Sequence, residues 1–167
     1  MTQIQLGLLL KEHLTRLGKT ICAAESLTAG NLCATIASAS GSSSYFEGGV
    51  VAYNLVQKVN LLGVDEQHAR ANNCVSARVA QEMALGVRNR FNANIALATT
   101  GYAERSPENM VESPFAFFAI DIDGEVTTGQ ICGKGLGRVD MQEFVVKEVL
   151  DAAIERLVQL QSENSES

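Results

Sequence analysis

Short apolar segments alternate with longer helical patterns along this chain, and the alternation constrains its fold more than any other feature. Three of these segments end at polar or small residues, and they cover residues 19–24, 49–53 and 94–100. Helical patterns lie between them, as parallel neighbouring strands require. Residues 114–122 and 125–132 flank Asp123-Gly124, a strong signal for a hairpin turn. The sequence predicts an α/β protein, a three-layer α/β/α sandwich with a mixed, mostly parallel sheet.

Capping and stop residues set the ends of the predicted helices. Gly18 and Gly63 can end helices, and Asn54 and Ser76 are suitable N-caps. The apolar side of the first helix consists of Ile4, Leu8, Leu14 and Leu17. Further helices are expected over residues 27–39, 54–62, 65–72, 76–92 and 140–160.

The length and net charge of the chain indicate how many domains it forms and which kinds of partner it can bind. A chain of 167 residues with 46% hydrophobic residues is large enough to bury one core. We expect a single domain over residues 1–160 and a disordered polar tail over residues 161–167. The net charge of −6, with scattered arginines, argues against a nucleic-acid or anionic-membrane partner. The chain shows neither an apolar stretch of membrane-spanning length nor a signal-peptide pattern at its start.

The cysteines and histidines do not form a metal-binding pattern. The four cysteines lie far apart, with no C-x-x-C pair, at Cys22, Cys33, Cys74 and Cys132. His13 and His68 add no ligand-spaced motif, so we predict no zinc or iron–sulfur site. We interpret the cysteines as reduced and mostly buried, and both histidines as solvated surface residues. A hydrolase built on this chain would then have no obvious histidine base.

Ser26 stands between a predicted strand and small residues that open a predicted helix. A serine there can close the helix as an N-cap, help the first helical N–H groups to hold a phosphate, or act as a nucleophile. The local pattern leaves all three possibilities open.

Three loops follow predicted strands, at residues 25–31, 53–58 and 99–114. Ligands of open α/β sheets bind at the carboxyl ends of the strands, so these loops are expected to form one pocket. Lys58 could equally be a solvated helix lysine, and Tyr53 could be a strand-end residue whose ring packs on one face while its hydroxyl is exposed to solvent. The pocket is expected to contain Ser26, Thr28, Tyr53, Lys58 and Thr100.

An ordered series of motifs gives the chain a family resemblance. Residues 24–30 resemble A-E-S-C-T-G-G, residues 41–49 match G-S-S-x-x-F-x-x-G, and Tyr53 and Lys58 match the ends of Y-S-N-x-x-K. The pair V-S before a helix is met at residues 75–76, and G-x-R before the last helix is met more loosely at residues 135–138. Over nearly its whole length the chain resembles the C-terminal domain of the competence/damage-inducible CinA family, whose stand-alone members include nicotinamide mononucleotide deamidases.

The resemblance implies a cytoplasmic, metal-free amidohydrolase, a homo-oligomer without cofactor that converts nicotinamide mononucleotide to nicotinic acid mononucleotide and ammonia. It implies Ser26 as nucleophile and Lys58 as base, with Tyr53 orienting the lysine. Burial can lower the pKa of a lysine enough for that role. N–H groups around residues 28–30 are expected to hold the oxyanion, and Arg138 to meet the phosphate. The implied substrate-binding set is Thr28, Ala29, Gly30, Ser42, Ser43, Thr100, Gly101 and Arg138.

The chain also departs from the family pattern. Glu104 and Arg105 replace a glycine and a proline after the third strand, Ala29 replaces a glycine, and Gln142 stands at an arginine-like position. Lost glycines reduce backbone access to a ligand, and a carboxylate near a phosphate opposes binding. Two hypotheses therefore stand: an active amidohydrolase, and a catalytically silent paralogue that acts as a nucleotide-binding or interaction protein.

Overall fold

The computed structural model describes residues 1–165 and contains a five-stranded mixed sheet with the strand order β2-β1-β3-β4-β5. The strands are β1 (Ile21–Glu25), β2 (Phe46–Val51), β3 (Ile95–Tyr102), β4 (Phe115–Ile122) and β5 (Glu125–Cys132). β2 and β3 pair with β1 in parallel, whereas β3–β4 and β4–β5 are antiparallel. Four of the five strands therefore run in the same direction, and the predicted α/β fold with a mixed, mostly parallel sheet is confirmed.

Helices cover both faces of the sheet because alternate strand residues point to opposite sides. The helices are α1 (Gln3–Leu17), α2 (Asn31–Ile36), α3 (Leu55–Leu62), α4 (Glu66–Ala71), α5 (Ala77–Phe91) and α6 (Arg138–Ser165). Ile21 and Ala23 pack with α1, α2 and α6, and Cys22 and Ala24 pack with α3, α4 and α5. Short 3₁₀ turns lie at Ser42–Ser44 and Pro107–Asn109. Within residues 1–165, no helix combines the length and the apolar character needed to cross a membrane.

Local capping explains several helix ends. The side chain of Asn54 accepts from the Gln57 N–H, and that of Ser76 accepts from the Val79 N–H, as predicted for N-caps. Gly18 and Gly63 end α1 and α3 in the left-handed conformation that glycine adopts without strain.

The first helix is rotated relative to the prediction. Ile4 and Leu8 are exposed, whereas Leu6 and Leu10 are buried. The reason lies at Gly7, where a Cβ would stand 2.3 Å from Ser38 Oγ, so the bare backbone of α1 packs directly on the end of α2. That close contact selects the buried side of the helix.

His13 and the last helix also differ from expectation. His13 is buried rather than solvated, and its Nδ1 lies 3.1 Å from Gln161 Oε1. Because this contact docks α6 against α1, α6 continues to Ser165, and the predicted tail is helical over residues 161–165. The rest of that predicted tail, residues 166–167, lies outside the described residues.

The cysteines are not uniformly buried. Cys22 is buried, Cys33 and Cys74 are half-buried, and Cys132 is exposed at the end of the edge strand β5. All four are free thiols, in agreement with the reduced state expected from their spacing.

Candidate active site

Ser26 follows directly after β1, at the carboxyl edge of the sheet, and its residue is only 6% exposed. The helix predicted to begin at residue 27 begins at Asn31 instead. A tight turn occupies residues 27–30, in which the Ala29 N–H donates to the Ser26 carbonyl at 3.1 Å. Ala29 and Gly30 both have positive φ values, +52° and +102°. The turn lifts Ser26 out of the helix, so it is not the N-cap of α2.

The first N–H groups of α2 bind the buried carboxylate of Glu25. Its oxygens accept from Gly30 N and Leu32 N at 3.0 Å each and from Cys33 N at 2.8 Å. A helix N-terminus favours a bound anion, and in this structure that anion is the Glu25 carboxylate. The phosphate-cradle interpretation of this junction is therefore wrong for these N–H groups, and Gly30 N is not free to hold an oxyanion.

The turn leaves two other donors. Within residues 1–165, the N–H groups of Leu27 and Thr28 have no acceptor from the protein. They belong to the two residues that follow Ser26, where an acyl-transfer site needs donors for the oxyanion. Of the N–H groups expected to serve this purpose at residues 28–30, only that of Thr28 remains available.

Lys58 lies on α3 and meets Ser26 although the two are 32 positions apart. It is 1% exposed, and its Nζ donates to Ser26 Oγ at 2.8 Å and to the Ala52 carbonyl at 2.8 Å. The predicted contact between the two side chains is confirmed. Both partners of the amine are neutral, so neither stabilises the ammonium form as a carboxylate would.

Burial lowers the pKa of Lys58 from 10.5 to about 8, and a negative charge on the nearby Cys74 sulfur acts in the opposite direction. At neutral pH about a tenth of the molecules then carry a neutral amine at this position. A neutral Lys58 can accept the Ser26 proton across the same 2.8 Å contact. The pair can therefore work as a nucleophile and its general base without a histidine.

A cavity of about 230 Å³ opens beside Ser26. Ser26, Leu27 and Tyr53 form one side of it. The segment 101–106, Glu108 and Arg138 complete the lining. The cavity therefore joins the carboxyl ends of β1, β2 and β3, as expected for ligand sites of open α/β sheets.

The structure brings only part of the predicted set to the cavity. Ser26, Tyr53, Gly101 and Arg138 line it, and Lys58 lies behind Ser26. Ala29 and Gly30 form the turn but do not line the cavity. The 3₁₀ turn with Ser42 and Ser43 precedes β2, at the opposite edge of the sheet, because β2 runs parallel to β1.

The hydroxyl groups of the two predicted threonines form structural contacts. Thr28 Oγ1 and Thr99 Oγ1 lie 2.8 Å apart, and both residues are fully buried. Thr100 Oγ1 donates to the Cys74 carbonyl at 2.6 Å, which ties β3 to the segment before α5. Neither predicted residue lines the cavity.

Tyr53 does not orient Lys58. Its hydroxyl accepts from Arg138 Nη1 at 3.4 Å, and the contact that holds the lysine comes from the carbonyl of the preceding residue, Ala52. Arg138 also donates to Glu104 Oε1, from Nε at 3.0 Å and from Nη2. Arg138 therefore meets a carboxylate of its own chain at the position where a substrate phosphate was expected.

Sequence reasoning did not assign the roles of Glu25 and of the Ala52 carbonyl. An acidic residue directly before a strand–turn–helix junction is a usable signal, since helix N-termini favour carboxylates. A backbone carbonyl leaves no signal in the sequence. Within residues 1–165, no group of three or more histidine, cysteine or acidic side chains is close enough together to hold a metal ion.

Comparisons with known protein sequences identify relatives over most of the chain. The family profile described as the CinA C-terminal domain matches residues 4–157. Protein MG115 of Mycoplasma genitalium is 33% identical over 144 residues, which cover 86% of this chain and 92% of that protein. A competence-damage inducible protein of Halothermothrix orenii is 43% identical over 126 residues, which cover 73% of this chain and 30% of that protein. The chain thus spans less than a third of the latter, longer relative.

Solved structures agree in fold. A competence damage-inducible protein A from Klebsiella pneumoniae superposes with a TM-score of 0.90 at 27% identity, covering 95% of this chain and 98% of that one. A competence/damage inducible protein from Agrobacterium tumefaciens gives a TM-score of 0.85 at 28% identity, covering 93% and 96%.

Proposed function

This chain belongs to the CinA C-terminal domain family, and from that premise we propose that it is an amidohydrolase of pyridine nucleotides. The reaction is the conversion of nicotinamide mononucleotide to nicotinic acid mononucleotide and ammonia. One observation carries the proposal: a buried amine 2.8 Å from a serine hydroxyl at the edge of a cavity.

The reaction begins with a proton transfer. Neutral Lys58 accepts the Ser26 proton while Ser26 Oγ attacks the carboxamide carbon. The carbonyl oxygen becomes an oxyanion, for which the N–H groups of Leu27 and Thr28 are the available donors, each worth roughly 3–4 kcal/mol in such a site. The protonated Lys58 gives its proton to the departing nitrogen, which leaves as ammonia.

The second half repeats these roles. Water attacks the acyl-serine, Lys58 accepts a proton from that water, and collapse of the intermediate returns a proton to Ser26. The pyridine carboxylate leaves as product. The Ala52 carbonyl accepts a hydrogen bond from Lys58 Nζ at 2.8 Å and so holds the amine in place in both protonation states. When the amine is neutral, this bond uses one of its N–H groups, and the nitrogen lone pair can accept the Ser26 proton.

The test is ammonia release from nicotinamide mononucleotide by the purified protein. We expect turnover whose kcat/KM rises with pH and levels off above about 8, because the neutral amine is the active form. Ser26→Ala and Lys58→Ala should each lower kcat by at least about 10²-fold, in the range of a lost general base. The matched controls are Ser162→Ala, at an exposed position on α6, and Lys11→Met, on α1. Neither residue lines the cavity, so both variants should keep the wild-type turnover. Turnover that survives both site substitutions would refute the mechanism.

A second function is favoured by the small volume of the cavity and by the ion pair in its lining. Its volume of about 230 Å³ is below the usual range of ligand pockets, roughly 300–1,000 Å³, and Glu104 neutralises Arg138. These features oppose turnover of the nucleotide and favour a catalytically silent paralogue. Absence of ammonia release by the folded protein between about pH 6 and 9 would select this function, and calorimetry with the nucleotide would then distinguish a nucleotide-binding protein from an interaction protein.

A further inference from the structure

Each nitrogen of the Arg138 guanidinium donates to a residue of its own chain. Its Nε and Nη2 both donate to Oε1 of Glu104, and its Nη1 donates to the Tyr53 hydroxyl at 3.4 Å. All three guanidinium nitrogens therefore have partners. Glu104 occupies the Nε–Nη2 edge of the guanidinium, one of the two edges that can bind a phosphate with two hydrogen bonds. A phosphate on this edge must displace Glu104, and a phosphate on the other edge is repelled by the same carboxylate.

The charges around the cavity are balanced. Its lining contains two cations, Arg105 and Arg138, and two carboxylates, Glu104 and Glu108. Glu108 accepts from the Ser106 hydroxyl at 2.6 Å and forms no ion pair with either arginine. Among the lining residues this balance leaves no net attraction for a phosphate that carries between one and two negative charges, and the nearby positive charge is that of Lys58, behind Ser26.

We infer that Glu104 is a specificity-determining residue, which competes with the substrate's phosphate for Arg138 and shifts selectivity toward pyridine amides without a phosphate. The inference rests on the proposed function. Glu104 acts on the phosphate of the nucleotide and not on the reacting carboxamide, so its effect lies in substrate binding more than in the chemical step.

The magnitude follows from the exposure of the pair. The side chains of Arg138 and Glu104 are 46% and 53% exposed, so their attraction is partly screened by water. Freeing Arg138 and removing one opposing charge should together improve binding of a phosphate by about three- to tenfold.

The experiment compares nicotinamide mononucleotide with its phosphate-free nucleoside, nicotinamide riboside. For Glu104→Gln we expect the ratio of the two kcat/KM values to rise about three- to tenfold in favour of the nucleotide. The change should lie in KM for the nucleotide, with kcat and the riboside values within about twofold. Adding Arg138→Gln to the Glu104→Gln variant should remove the gain. Glu112→Gln, an exposed carboxylate in the same loop outside the cavity lining, is the matched control.

An unchanged ratio in Glu104→Gln, or an equal gain for both substrates, overturns the inference and leaves the proposed amidase activity intact. If the wild-type protein releases ammonia from neither substrate, the proposed function fails, and the inference is decided by calorimetry with the same two compounds. A gain in affinity of Glu104→Gln for the nucleotide alone then supports it. No gain, or no binding of either compound, overturns it.

Discussion

Ala29 holds a backbone conformation that residues with a Cβ rarely adopt. Its φ is +52°, in the left-handed region, and it is exposed on the turn after Ser26. That conformation costs a Cβ-bearing residue roughly 1–2 kcal/mol. The turn is nevertheless formed, because Glu25 holds the N–H groups of Gly30 and Leu32 on its far side. Ala29 therefore stores strain three residues from the candidate nucleophile.

We expect Ala29→Gly to raise the free energy of unfolding by about 0.5–1 kcal/mol. Relief of the left-handed strain exceeds the extra chain entropy that glycine gives the unfolded state, about 0.4–1 kcal/mol. Urea denaturation measures the change. Ala34→Gly, at an exposed position inside α2, is the control and should lower stability by about 1 kcal/mol. A loss of stability in Ala29→Gly would show that its Cβ contributes a contact that outweighs the strain.

Among the secondary structure elements, α2 depends most on a residue outside itself. It has six residues, too few to be stable alone, and no side chain of its own caps its N-terminus. The carboxylate of Glu25, at the end of β1, accepts from three N–H groups there instead. One side chain thus joins the end of β1 to the start of α2 and fixes the turn that carries Ser26.

We expect Glu25→Gln to lower the free energy of unfolding by about 1.5–3 kcal/mol, the range for hydrogen bonds to a charged group. The amide keeps one acceptor oxygen, and its NH₂ group faces N–H donors in place of the second oxygen. Urea denaturation gives the stability, and the ammonia assay gives kcat, which should fall because the Leu27 and Thr28 donors lose their positions. The control is Glu47→Gln, an exposed carboxylate on β2, with a change within about 0.5 kcal/mol. Wild-type stability in Glu25→Gln would mean that water satisfies the same N–H groups.

Periodicity and caps were sufficient to predict the order of the elements, but not their exact ends or rotations. The Asp123-Gly124 hairpin and the cap at Ser76 are local, so the sequence alone could identify them. The rotation of α1 depends on Gly7 meeting Ser38, and the length of α6 depends on Gln161 meeting His13. Both contacts join segments far apart in sequence, and no local pattern contains them.

For the molecule as a whole, the site could be predicted only where topology determines it. Ser26 and Lys58 follow neighbouring parallel strands, β1 and β2, so their side chains meet at one edge of the sheet. The same rule places Ser42, before β2, at the other edge. Whether a residue near that edge faces the cavity or the core depends on side-chain packing. Thr100 faces the core, where it donates to the Cys74 carbonyl, and Glu104 faces the cavity.

Lys58 differs from the other fully buried charged residues in its partners. Asp121 pairs with Arg88 at 2.8 Å, and Glu25 binds helix N–H groups. The amine of Lys58 contacts two neutral oxygens, those of Ser26 and Ala52. Its pKa of about 8 in the folded protein lies below the ordinary 10.5 because burial disfavours the ammonium form. The folded molecule therefore bears an energetic cost at neutral pH for keeping this amine at the site.

The cost has a definite pH dependence. Below about pH 8 Lys58 holds its proton in both the folded and the unfolded chain, so it does not make the free energy of unfolding depend on pH. Between about 8 and 10.5 the unfolded chain keeps a proton that the folded chain has released, so stability rises with pH. The full gain corresponds to about 3 kcal/mol. Burial raises the pKa of the Cys22 thiol from 9.0 to about 12 and raises that of Cys33 as well, so these thiols lower stability as the pH rises above about 9. Wild-type stability alone therefore does not isolate the lysine.

A comparison with Lys58→Met isolates it, because the cysteine contribution is common to both proteins and cancels. We expect the unfolding free energy of the wild type, minus that of Lys58→Met, to rise by about 2–3 kcal/mol between pH 7 and 10. Urea denaturation at intervals of one pH unit measures it. Lys11→Met, which removes an amine that donates to the Ser40 carbonyl away from the site, is the matched control. A difference for Lys58→Met that stays flat with pH would mean that the buried amine titrates as it does in water. Ser26 would then have no base at neutral pH, although its hydrogen bond to the lysine is in place.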